Sequence, residues 1–391
     1  MKLFTKVTSF AVAGCAALLC AGCNAKTYSV YTNMPEGSFE ISDSNYVLGG
    51  TIAGYASDEK ETLPAAENFT SRRRLYYSMT TDAELVVSAD FSAEGADENY
   101  TAFVSAVGSA LTEIDKALST TVVNSDVSKF NQAAAGATVE ISEIGYNVLT
   151  TAKTVYEYTD GYYNPALYYN VLAYGFGSAH DYPENESELP DEQIIAGYTE
   201  LAQHFGDVQL SKGEGENEGK YFVEKPLYTV EAEGETLAMK LDLGGIGKGY
   251  AVDCVDRLFD EYGYEYGYFN FGSSSMLVKG FSAGGAYNVG LAGPRSPMRE
   301  PYIYTKIQGE KLSTSGDNEQ FYKIGGVRYC HIIDPTTGKP VQTGIMSVTV
   351  IGGSAAEDDA LTTAIMAMGK ERAVEFIEKK LTDRKAAFCC E

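Results

Sequence analysis

The chain has 391 residues, of which 44% are hydrophobic and 29 are tyrosine, enough to bury a substantial core. Its formal net charge is −24. That balance argues against nucleic acid as a partner, because such binding rests on neutralising phosphates with Lys and Arg.

The first element reads as an export signal. Lysines at 2 and 6 precede an apolar run of small residues from Val7 to Gly22, too short and too poor in leucine for a membrane-spanning helix. The run ends in Ala21-Gly22-Cys23, the end of a bacterial lipobox, although Cys20 stands where leucine is usual. Residues 1–22 are expected to be a signal peptide, with Cys23 lipidated after its removal. An ordinary cleaved signal is the alternative. Acyl chains such as palmitate on Cys23 would hold the protein at the extracytoplasmic face of the cell membrane without spanning it. Cys254, Cys330, Cys389 and Cys390 form no CxxC, which argues against a zinc site.

Residues 24 to about 74 are polar and lack helical periodicity. They are expected to be a tether with a few strand-like pieces, so the lipidated tether spans 23–74 and the folded domain 75–391. From Leu75 the patterns tighten. "AELVVSAD" is a strand, and "NYTAFVSAVGSALTEIDKALS" has apolar residues at helical spacing. "TVEISEIGYNVLTTAKTVYEYTDG" reads as a second helix closed by Gly161, and "GEGENEGKYF" as a hairpin loop. "YGYFNFGSSSMLVKG" and "AYNVGLAGP" are strands. The stretch from Ser347 to Lys380 is a strand, a loop and one long helix. The mixture predicts an α+β fold, in two lobes around a cleft.

Three stretches carry chemistry. "KLDLGGIGKGYAVD" (240–253) places a lysine between glycines at a strand-to-helix turn. It resembles a phosphate-binding loop, yet has neither the P-loop spacer nor G-x-G-x-x-G. "STSGDNEQFYKIGGVRYCHIIDPTTGKPV" holds His331, which suits a general base near neutral pH or a structural role at a strand start. In "SVTVIGGSAAEDDALTTAIMAMG", Asp359 and Thr363 lie four apart and share one helix face. A carboxylate and a hydroxyl so placed suit a hard cation such as Mg²⁺; the alternative is that Asp359 only caps the helix.

In this order and spacing the three stretches resemble the ApbE family of FAD:protein FMN transferases. The resemblance runs from about Met79 to about Ile377 and includes "MTT" (79–81), "STTVVNSDVSKFN" (119–131) and "GYYNPALYYNVLAYGFG" (161–177). There are departures. Thr80 replaces a glycine, Asn164-Pro165 stands for Asp-Pro, and Gly272-Ser273-Ser274 for Gly-Gly-Asp. Thr121 stands where the family often has tyrosine, and Tyr174 where it often has tryptophan. The resemblance implies a flavin transferase fold with an FAD/Mg²⁺ cleft between lobes. Asp242 would hydrogen-bond the flavin nucleotide, and Lys248 would reach the pyrophosphate. Met79, Thr121, Tyr174, Gly175, Phe176 and Ile332 would contact FAD. The Gly245 carbonyl, Asp359 and Thr363 would hold Mg²⁺. The implied reaction passes FMN from FAD to a threonine or serine hydroxyl of an acceptor flavoprotein and releases AMP, with His331 as the catalytic base. Acceptors in related systems carry an Asp-x-x-(Ser/Gly)-Ala-Thr-like motif, of which this chain has no convincing copy. The alternatives are a membrane-anchored FAD-binding protein or FAD pyrophosphatase, in which water takes the acceptor's place, and an adhesion or solute-binding lipoprotein.

Overall fold

The computed structural model describes residues 26–52, 70–282 and 285–391. The expected signal peptide and Cys23 lie outside them. Nine strands form one sheet: β1 (Tyr28–Thr32), β2 (Tyr46–Thr51), β3 (Thr70–Ser78), β4 (Thr81–Ala89), β5 (Gly267–Phe271), β6 (Ser275–Lys279), β7 (Lys311–Gly316), β8 (Ile345–Ile351) and β9 (Lys385–Cys390). Their spatial order is β2-β1-β9-β8-β7-β6-β5-β4-β3. Only β1 and β2 pair in parallel; the other neighbours are antiparallel. The interior strand β8 is buried along its whole length, as a strand covered on both faces must be.

One face is covered by helices. In α1 (Ala96–Leu118), Phe103, Val107, Leu111, Ile114 and Leu118 are buried at helical spacing. With α2 (Glu143–Tyr158), α3 (Gly244–Glu261) and α4 (Ala355–Met368) it encloses the main core. A smaller core, with Val278, Tyr302 and Met346, packs against the hairpin Tyr287–Ala292/Pro301–Ile307. The mixture is α+β, as the patterns predict.

Three boundaries differ from expectation. The segment read as a tether is built into the sheet: β1 pairs with β9, whose residues lie more than 350 positions away, and Arg74 falls inside β3. Pairing partners that far apart leave no local signature. The second predicted helix is a strand, Thr138–Ile141, followed by α2, because the Ser142 hydroxyl caps α2 by accepting from Gly145 N–H at 3.1 Å. The long C-terminal helix is two, α4 and α5 (Lys370–Lys379), broken at Gly369 with φ +76°.

Candidate active site

The strand-to-helix turn comes first. Leu241 is buried, and Asp242 receives Gly244 N–H on Oδ1 at 2.8 Å, a local turn that starts α3. The N-terminal turn of α3, with its partial positive charge, opens on a cavity of about 580 Å³. Lys248 follows one turn later and lines the same cavity. The glycines before it keep the wall low. A β-carbon on Gly245 would sit 3.4 Å from Thr363 Oγ1 and 3.6 Å from Tyr163 Cε2.

Asp359 and Thr363 enter from α4, and the i,i+4 spacing places both on the cavity. Asp359 is not a cap: it lies in the first turns of α4 rather than at its N-cap, and its Oδ2 accepts Gly249 N–H of α3 at 3.0 Å. In a regular helix the Gly249 N–H points to the Gly245 carbonyl. A carbonyl carries two lone pairs, so the Gly245 oxygen keeps acceptor capacity beyond any helix bond. The Tyr163 hydroxyl is buried in the same wall without a hydrogen-bond partner among the described residues.

His331 enters from the far side, directly after the hairpin Phe321–Ile324/Val327–Cys330. Its Nδ1 lies 3.4 Å from the Gln320 carbonyl, which only accepts, so Nδ1 carries the proton and Nε2 keeps its lone pair. Burial, aided by the Lys248 charge, pushes its pKa down to about 4. Burial also pushes Asp242 up, against the pull of Gly244 N–H, His331 and Lys248. Asp359 is raised by burial too, and further by Glu319, with Lys248 and Gly249 N–H opposing. Glu319, likewise pushed up by burial, lines the cavity. Asp115, Asp242, Glu319 and Asp359 thus line one cavity with Lys248. Carboxylates crowded in this way favour a cation beside them.

The residues present fit Mg²⁺. Among the described residues no three His, Cys, Asp or Glu side chains cluster as metal ligands. Mg²⁺ asks for less: one or two carboxylates, neutral oxygens, retained waters and substrate phosphates. Asp359, Thr363 and the Gly245 carbonyl offer that set.

Of the other expected contacts, Met79, Thr121 and Ile332 line the cavity. Met79 occupies a two-residue turn between β3 and β4 with φ +46°, and Thr80 follows at +59°, a conformation that suits the glycine the family motif places there. Tyr174, Gly175 and Phe176 are not among the residues that line the cavity; around them Val171, Gly177, Ser178 and His180 are. Tyr174 and Phe176 are buried, stacked on Tyr329 and Tyr322 at 6.4 and 5.5 Å between centroids. They support the hairpin that leads into His331. Asn164 lines the cavity but is engaged: Oδ1 accepts Ala166 N–H at 3.0 Å and Nδ2 donates to the Ala202 carbonyl at 2.9 Å. Ser274, in place of an aspartate, is buried in the wall. Sequence reasoning passed over Tyr163, Glu319 and Ser315, each inside or beside a quoted motif, because none has a spacing that marks it.

The cavity and sheet define an α+β protein with an acidic cleft that also holds Lys248 and the N-terminal turn of a helix. Residues 79–388 match the model of the ApbE family, and the chain belongs to that family. It is 28% identical over 270 residues to the FAD:protein FMN transferase of Escherichia coli K12, covering 68% of this chain and 71% of that protein. It is 29% identical over 276 residues to the FAD:protein FMN transferase of Vibrio cholerae O395, covering 68% and 74%. Among solved structures, the ApbE protein of Thermotoga maritima superposes with a TM-score of 0.59 at 25% identity, over 80% of this chain and 89% of that one. The apo flavinyl transferase ApbE of Pseudomonas stutzeri does so with 0.65 at 23% identity, over 83% and 92%, a likeness of fold.

Proposed function

We propose that this chain transfers FMN from FAD to a threonine or serine hydroxyl of an acceptor protein, releasing AMP, and that it needs Mg²⁺ to do so. One observation carries the reading: four segments far apart in sequence bring Met79, Asp242, Lys248, His331, Asp359 and Thr363 to one cavity. Relatives named as FAD:protein FMN transferases support the same reaction. In the transfer, the acceptor oxygen bonds to the FMN phosphorus, the bond from that phosphorus to the bridging oxygen breaks, and AMP leaves with that oxygen. His331 Nε2 takes the hydroxyl proton. Lys248 and the N-terminus of α3 hold the pyrophosphate, and Asp242 orients the flavin nucleotide. Mg²⁺, when bound by Asp359, Thr363 and the Gly245 carbonyl, would supply neutralising charge for the phosphates. We place the enzyme at the extracytoplasmic face of the membrane, held through Cys23, on the strength of the Ala21-Gly22-Cys23 motif. Among the described residues no helix is long and apolar enough to cross a membrane.

The test is incubation with FAD, Mg²⁺ and an FMN-binding-domain acceptor, followed by intact mass of the acceptor and assay of AMP. An acceptor heavier by one FMN phosphoryl group, with matching AMP, is expected. AMP and free FMN at the same rate without acceptor would replace this reading with FAD hydrolysis.

A further inference from the structure

The two halves of the site stand on different helices. Gly245 and Lys248 are on α3; Asp359 and Thr363 are on α4. One side chain ties the helices together. Asp253, on α3, accepts four hydrogen bonds. Oδ1 receives Ala355 N–H at 2.9 Å and Lys311 Nζ at 2.8 Å; Oδ2 receives Ala356 N–H at 2.9 Å and the Ser354 hydroxyl at 2.7 Å. Ser354, the N-cap of α4, makes no side-chain cap bond to its own helix. The free N–H groups that begin α4 are therefore capped from α3, by a residue about 100 positions earlier. The backbones also touch here: a β-carbon on Gly249 would lie 2.1 Å from the Ala355 carbonyl oxygen. Lys311 extends the tie to β7, which brings Thr314 and Ser315 into the cavity wall.

We infer that Asp253 is a positioning residue: by capping α4 from α3 it fixes the axial register of the two helices, and so the placement of Asp359 and Thr363 against Gly245 and Lys248. The inference rests on the metal reading of those residues. A register set elsewhere would let the N-terminus of α4 shift without moving the ligands. Here Asp359 is one turn from Ala355 and is itself bonded to Gly249, one turn before Asp253. A displacement of the cap therefore passes directly to the carboxylate.

A neighbour supplies the control. Asp256, on the same helix, accepts Lys279 at 2.8 Å and shares Lys311 at 3.1 Å, with no bond to α4 among those resolved. Asp253→Asn and Asp256→Asn each remove a negative charge facing Lys311, but only Asp253→Asn turns an N–H donor towards the start of α4. The full chain would be saturated with FAD without acceptor, and Mg²⁺ titrated by calorimetry; melting temperature and the Mg²⁺ dependence of transfer would be measured on the same preparations. Both variants should melt earlier, Asp253→Asn by more because it also loses the cap of α4. Asp253→Asn alone should bind Mg²⁺ about 10-fold or more weakly, the usual scale for groups that orient metal ligands. Its transfer rate should recover at high Mg²⁺. Should it fail to fold, Ser354→Ala, which removes one of the four bonds, is expected to weaken Mg²⁺ in the same direction by a smaller factor. Equal Mg²⁺ affinity in Asp253→Asn and Asp256→Asn, or in Ser354→Ala and wild type, overturns the inference alone. Wild-type protein that binds no Mg²⁺ overturns the metal reading and the inference with it.

Discussion

The acid limb of the transfer reaction should lie well below the ordinary titration of histidine. If His331 had its usual pKa near 6.5, about 10% of it would be neutral at pH 5.5, and a reaction needing its lone pair would run at roughly a tenth of its plateau. Burial and the Lys248 charge instead push it down to about 4. On that value about 97% is neutral at pH 5.5, and kcat/KM should stay close to its plateau to about pH 5. Bound FAD adds negative charge beside the ring and favours the imidazolium, so the limb in kcat should stand at higher pH than the limb in kcat/KM. Stability has a matching sign. The folded state holds His331 neutral while the unfolded chain takes up a proton below 6.5, so stability is lost as pH falls from about 6.5 towards 4. The assay is the pH profile of acceptor flavinylation at limiting and saturating FAD, followed by intact mass, for wild type and His331→Ala. The variant should keep FAD binding, lose the limb, and transfer on the order of 10²–10⁴-fold more slowly. A kcat/KM limb at 6.5 or above that persists in His331→Ala would refute the assignment, as would a folded variant transferring within about threefold of wild type.

Asp359→Ala removes the charged member of the proposed metal set, so Mg²⁺ affinity and turnover should both collapse; Thr363→Ala should be milder, since water replaces a neutral hydroxyl. Wild-type turnover of Asp359→Ala at low Mg²⁺ would exclude that metal site. Gly249→Ala would bring a methyl to 2.1 Å from the Ala355 carbonyl and 2.8 Å from the Ala356 Cα, both backbone, so α3 and α4 must part by about 1 Å at a cost of roughly 1–3 kcal/mol. Its melting temperature should drop and its Mg²⁺ affinity weaken; an unchanged melting curve would show that the helices yield freely. Cys23→Ala should move the protein from the membrane to the soluble fraction, and a mature N-terminus mapped elsewhere would contradict lipidation at that residue.

Some of the site is written locally. The Gly-Gly step before Lys248 needs only the turn itself to bring backbone close to a ligand. Asp359 and Thr363 share a face because a helix repeats every 3.6 residues. Hairpins announce themselves in the same way, as "GEGENEGKYF" does between Gln209–Lys212 and Tyr221–Glu224. Such features depend on neighbours a few bonds away, and the shared helix face and the hairpin stand in the structure as read. Tyr174 and Phe176 show the limit. Their motif matches the family, yet whether an aromatic ring faces the cavity or its support depends on the hairpin packed against it, here Tyr322 and Tyr329.

The sequence by itself determined the order of the motifs, their residue types and their local spacing, because turn chemistry and helical periodicity act over a few residues. Only the tertiary structure decided that Tyr28–Thr32 and Tyr46–Thr51 belong to the large sheet, that Asp359 meets Gly249 across 110 positions, and that Asp253 begins a helix it is not part of. It also decided the proton affinity of His331. Desolvation and Coulomb terms depend on which distant atoms surround the ring, and no spacing along the chain encodes that environment.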